Sequence, residues 1–402
     1  MTIRISQLLP VALILLLAIS AIYAISFLNF FWMFIAITAL VVSVIPGLKG
    51  GTMFGAWNLW VPAIISGPYV LGFVSYEFGF EPFDLKSPIF WVIGSMALFS
   101  LSIMLMGTLT LTKVRLNTSF TVIFTFVLYE ALLAMQGPID LYLNGHIGTS
   151  YFEDNMVLMG YLIVCSVIGL ALTAVIRTRL GLITLFQRPE KGSWGFKHKD
   201  GFWTTVFFTL LLISLIIISQ IGRNGYSLWT GVISILLMWT PQALDMGGLI
   251  RLPHFVIIII GLSLFLNSFG VVTGLYDDTF WWDKLTHIIS GFAVAAIATV
   301  ALLILQNMNK ISVPPYWYVF FIFIIVMFFE ATWEIIEFVL DNTVGTSMQY
   351  GKMDTVNDLM SDSISGIVAG AGSAYYVKRN GSEDYIARCE AERMCQIFDS
   401  SL

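Results

Sequence analysis

The chain has 402 residues, 58% of them hydrophobic and only 11% charged, with a net charge of -5 and a mean hydropathy of +0.86. A soluble domain carries about 25% charged residues, so this composition excludes one and indicates an all-α, polytopic membrane protein. Three cysteines are too few for a disulfide framework, and nothing in the charge pattern points to a nucleic-acid partner.

A membrane-spanning helix needs about 20 mostly apolar residues. Such runs lie near 8–28, 30–46, 56–77, 88–112, 119–137, 155–176, 203–221, 226–243, 253–273, 281–306, 316–340 and 357–377, which predicts about twelve transmembrane helices. The first run is too long for a secretory signal and lacks a clear cleavage site. Loop charge sets the expected orientation. Lys49, Lys113, Arg115, the cluster from Arg177 to Lys199, Arg251, Lys310, Lys378 and Arg379 fall on one side. Glu77, Glu81, Asp84, Asp140, Glu153, Asp154, Asp277, Asp278 and Asp341 fall on the other, with Lys86, Arg223 and Lys352 as exceptions. The positive-inside bias then predicts a plasma-membrane protein with both termini in the cytoplasm. Cys389 and Cys395 would lie in that reducing compartment, whereas Cys165 sits inside an apolar run.

The halves echo one another. The Gly-Gly pair at 50–51 answers that at 247–248, Phe90-Trp91 answers Phe280-Trp281, Glu130 answers Glu330, Gly-Thr-Ser at 148–150 answers 345–347, and Asn155 answers Asn357. The expected organisation is two parallel six-helix repeats: a degenerate one at 1–176, a basic cytoplasmic linker at 177–202, a second repeat at 203–378 and a tail at 379–402. The polar residues concentrate in the second repeat, because Val92 and Met96 stand where it has Asp283 and His287.

Three segments carry those residues at helical spacing. Asp283 and His287 are four apart in WWDKLTHIISGF. Glu330, Glu334 and Glu337 follow at i, i+4 and i+7 in FFEATWEIIEF, and Asp354, Asp358 and Asp362 at steps of four in DTVNDLMSDSISG. Residues three or four apart share a helix face, and ionisable groups in a bilayer usually face a partner, a cavity or an ion. In the expected topology all three stripes converge in the outer leaflet. Oxygen ligands with one imidazole suit a divalent metal such as Mg, Mn or Zn. The candidate ligands are Asp283, His287, Glu330, Glu334, Asp354, Asp358 and Asp362, with His287 and Glu334 as candidate catalytic groups. Simpler roles stand beside these. Asp283 can pair with Lys284 or cap its helix, and His287 can be a hydrogen-bonded core histidine. Asp354 and Asp358 can merely favour a helix N-terminus, and Glu337 and Asp341 approach the outer loop, where solvent exposure is expected. Trp281, Trp282, Trp317 and Tyr318 read as interfacial anchors, and Gly291, Gly366, Gly370 and Gly372 as close helix contacts.

The motifs LPHFVIIIIGL, LYDDTFWWDKLTHIISGF, FFEATWEIIEF and GTSMQYGKMDTVNDLMSDSISG make residues 250–378 resemble the YjdF-type integral membrane proteins and, more distantly, the VanZ-like proteins. The resemblance matches Asp283, His287, Gly291 and Phe292, then Glu330 and Glu334, then Gly345, Thr346, Asp354, Thr355 and Asp358. It implies that these polar positions belong together and supplies no reaction. Three functional expectations remain open. One is a metal-dependent hydrolase or transferase acting on lipid or lipid-linked headgroups, with membrane lipids as partners. The others are an ion- or proton-coupled secondary transporter, and a structural or assembly protein.

Overall fold

A computed structural model describes residues 5–26, 30–48, 88–109, 112–144, 152, 154–180, 200–221, 225–247 and 249–381. Several sequence expectations lie outside these residues: the apolar run 56–77, the glycine pair at 50–51, Gly-Thr-Ser at 148–150, most of the basic linker, Glu153, and the tail with Cys389 and Cys395. The described residues are helical almost throughout. The helices are α1 (Ile5–Ser26), α2 (Phe30–Leu48), α3 (Pro88–Leu109), α4 (Thr118–Ile139), α5 (Asn155–Arg179), α6 (Asp200–Ile221) and α7 (Gly225–Met246). They continue with α8 (His254–Thr273), the single turn α9 (Leu275–Asp278), α10 (Phe280–Asn307), α11 (Tyr318–Thr343) and α12 (Lys352–Asn380).

Local chemistry explains their ends. Asn117 and Asp154 cap α4 and α5 by accepting the backbone N–H groups of Phe120 and Val157 at 2.9 Å, which satisfies donors that a helix start leaves open. Arg177 and Arg179 close α5, and Lys378 and Arg379 close α12, where cations meet the negative end of the helix dipole. The loop into α12 turns through Gly345 and Gly351, at φ of 77° and 116°, a region that strains residues with a Cβ.

Among the described residues, seven helices are long and apolar enough to cross a membrane. Large apolar side chains such as Leu170, Ile217 and Leu236 point outward, as lipid-facing surface does. The protein is therefore an all-α, multi-pass membrane protein.

The chain forms two compact units. The first comprises Met1–Leu182 and Ala331–Leu359, the second Ile183–Glu330 and Met360–Leu402, so α11 and α12 each supply one part to each unit. The first unit has a core of Leu17, Trp32, Leu98, Tyr129, Leu133, Leu158 and Met159, joined by Val356, Ile335 and Phe338. In the second, Phe208, Leu212, Met238 and Ile257 form a core between α6, α7 and α8.

Glycines set the closest approaches in the second unit. A Cβ on Gly370 would stand 2.8 Å from the Val319 Cα, one on Gly366 3.3 Å from the Val326 Cβ, and one on Gly291 2.0 Å from the Ser365 Oγ. These three fulfil their expected packing role. Gly372 does not, since a Cβ there would meet nothing within 4 Å among the described residues. Two expected interfacial anchors are also internal. Trp282 is buried, its indole lying where a Cβ on Gly270 would fall, and Tyr318 is fully buried with its hydroxyl donating to Gln306 Oε1 at 3.4 Å. Trp281 remains half exposed. The last helix begins at Lys352, not near Asn357, so Asp354 lies in its first turn.

Candidate functional site

In the second unit three helices direct ionisable side chains at one imidazole. Asp283 and His287 are one turn apart on α10, Glu330 ends the part of α11 that belongs to this unit, and Asp362 lies on α12. His287 Nδ1 is 3.0 Å from Asp362 Oδ2 and 3.9 Å from Glu330 Oε2, while Nε2 is 3.7 Å from Asp283 Oδ1. His287, Glu330 and Asp362 are 6%, 4% and 0% exposed, so the cluster is buried. Nδ1 of His287 and one oxygen from each of Glu330 and Asp362 lie within 4.8 Å of one another. The other oxygen of Asp362, Oδ1, is buried and accepts no hydrogen bond among the described residues.

Packing explains the approach of these helices. Gly291, one turn beyond His287, leaves room for Ser365, whose hydroxyl donates to the Asp362 carbonyl at 2.8 Å. Any larger residue at 291 would press on the Asp362 turn. The start of α10 is tied down by Thr286, which donates to the Asp283 carbonyl at 2.7 Å and accepts from the Tyr276 hydroxyl at 3.2 Å. Asp283 has two faces. It pairs with Lys284 at 2.9 Å while its other oxygen looks toward His287. It does not cap the helix, because the residue before the first turn is Thr279.

The remaining carboxylates belong to the first unit. Glu334 is fully buried and accepts from Gln349 Nε2 at 2.8 Å, while the same amide also donates to the Glu334 carbonyl at 2.9 Å. Asp358 is buried, one helical turn before Asp362 on α12. Asp354 is half-buried and accepts from the backbone N–H of Tyr350 at 3.1 Å, the ordinary task of an acid in a first helical turn. Glu337 and Asp341 are half-buried, against the expected exposure. Asp341 organises the following loop: it accepts from Thr346 Oγ1 at 2.5 Å and from the backbone N–H groups of Met348 and Gln349 at 2.9 Å.

Two features were not singled out by sequence reasoning. One is the amide of Gln349, a loop residue outside every apolar run and so outside every stripe. The other is a pair of polar contacts in the first unit, where Ser166 Oγ donates to Glu130 Oε2 at 2.8 Å and the Tyr129 hydroxyl donates to the Cys165 carbonyl at 2.7 Å. Only the echo between Glu130 and Glu330 pointed to it.

Residues 204–379 match a family described as "Predicted membrane protein (DUF2238)". The match spans α6 to α12 and contains every candidate residue above, in agreement with the YjdF-type resemblance of the second half. No curated protein and no solved structure matches the chain.

Proposed function

We propose that the protein is a divalent-metal-dependent membrane enzyme that hydrolyses or transfers a phosphoester on a lipid or lipid-linked headgroup. The observation that supports this reading is the buried set of His287, Glu330 and Asp362. When ionised, the two carboxylates outnumber the single imidazole, and burial makes that negative charge costly, so a cation would relieve the imbalance. The donor set fits the metal: an imidazole with carboxylate oxygens suits Mn, Zn or Mg. The orphaned Asp362 Oδ1 offers a further acceptor. A metal held by His287, Glu330 and Asp362 would polarise a phosphoryl oxygen or activate water.

Asp283 would orient the second nitrogen of His287, as carboxylates beside metal-bound histidines commonly do. Glu334, one turn beyond Glu330, would serve as a further ligand or as the general base. Asp358 extends the Asp362 stripe and is a further candidate ligand, with Asp354 the least favoured because a backbone N–H already occupies it. In this reading about twelve helices cross the plasma membrane as two parallel six-helix repeats, with both ends cytoplasmic and the acidic stripes toward the outer leaflet.

Metal content of the detergent-purified protein, beside Asp362→Asn, Glu334→Ala and Asp358→Ala, tests the proposal. Stoichiometric metal in the wild type that falls in the variants is expected, together with a changed membrane lipid profile in cells carrying them. Because histidine and carboxylate ligands must shed protons to bind, the metal should leave as pH falls. A folded wild type that takes up no metal would overturn the enzyme reading. The 3.0 Å contact between His287 and Asp362 would then favour a proton relay in a secondary transporter, tested by pH-driven uptake in proteoliposomes.

A further inference from the structure

We infer that Asn155, at the start of α5 and outside the residues matched by the family, is a positioning residue for Glu334 and acts through Gln349. The inference rests on the reading of Glu334 as part of the site. Its geometry lies wholly within the first unit. Asn155 Nδ2 donates to Gln349 Oε1 at 2.9 Å, and Gln349 Nε2 donates to Glu334 Oε2 at 2.8 Å and to the Glu334 carbonyl at 2.9 Å.

The polarity of this chain follows from its last member. An ionised carboxylate and a backbone carbonyl are both acceptors only, so the end of Gln349 facing them must be its NH₂. That places the Gln349 oxygen toward Asn155, which must in turn present its own NH₂. Asp341 holds the Gln349 backbone N–H at 2.9 Å, so the side chain has a fixed base from which to reach. A change of donor to acceptor at position 155 therefore propagates to Glu334. With a carboxylate at 155, the Gln349 amide is drawn to reverse, and its oxygen then faces the two Glu334 acceptors. A shape-matched apolar residue at 155 removes one bond but leaves Gln349 free to keep donating to Glu334.

Donor–acceptor polarity at position 155 sets an order of effects that simple packing does not. Mn²⁺ titration of the full-length protein in detergent, followed by electron paramagnetic resonance, should show the tightest binding in the wild type. Asn155→Leu should be weaker, and Asn155→Asp weakest, by about tenfold, as for the loss of an outer-shell partner. Thermal unfolding should show that Asn155→Asp is folded, because an acid in a first helical turn is favourable. Glu334→Gln separates the two levels of the argument. If it weakens Mn²⁺ while both Asn155 variants bind like the wild type, the positioning role is overturned and the metal reading stands. If Glu334→Gln itself binds like the wild type, Glu334 is no part of the site. If Asn155→Leu is as weak as Asn155→Asp or weaker, Asn155 acts by packing and the inference fails.

Discussion

Glu130 in the first unit and Glu330 in the second are both buried in largely apolar stretches of helix, and the two keep different company. In the first unit Glu130 on α4 receives the Ser166 hydroxyl at 2.8 Å, beside a core that includes Tyr129 and Tyr161. In the second, Glu330 lies 3.9 Å from the imidazole of His287, which also holds Asp362 at 3.0 Å. A hydroxyl serves a neutral acid or an amide as readily as an anion. An imidazole among carboxylates suits groups that share a proton or a cation. Burial of an acid in a membrane helix is thus not enough to mark a site, and the partners it meets are what separate the two.

Four sets of substitutions probe this contrast. The largest effect is expected from His287→Leu, which leaves Asp362 and Glu330 buried without their shared partner and should cost about 3–5 kcal/mol in denaturant unfolding in detergent. A neutral outcome would make the second cluster no more demanding than the first. Next come the glycines beneath each cluster. A Cβ at Gly291 would meet the Ser365 Oγ at 2.0 Å, and one at Gly169 would meet the Tyr129 ring at 2.3 Å. Alanine at either should cost about 1–3 kcal/mol from overpacking. Only Gly291→Ala should also lower metal content, since its neighbour is hydrogen-bonded to the Asp362 turn, and loss of metal in Gly169→Ala would blur the distinction.

A smaller effect is expected at Glu130→Gln. The amide oxygen can still accept from Ser166, so stability should change by less than about 1 kcal/mol and metal content not at all. The smallest is the control Gly372→Ala. Its Cβ meets nothing among the described residues, so the variant should be neutral or gain up to about 1 kcal/mol from helix propensity. A clear loss there would show packing at that face beyond the contacts described.

How much of this was legible beforehand depends on the range of the interaction. Long apolar runs and acids spaced by four are properties of neighbouring residues. The described helices, the membrane class and the faces shared by Asp283 with His287, Glu330 with Glu334, and Asp358 with Asp362 were therefore readable from the chain alone. Partner choice was not. The spacing placed Asp283 beside His287, yet its nearest carboxylate is Asp362, 75 positions away and 3.0 Å distant, because Gly291 lets α10 and α12 come together. The same range of contact put Trp282 and Tyr318 inside the protein rather than at its rim, left Gly372 clear of the other described residues, and joined Asn155 to Glu334 through a loop glutamine. One-dimensional order determines which residues share a face; only the packing of helices distant in sequence decides what that face meets.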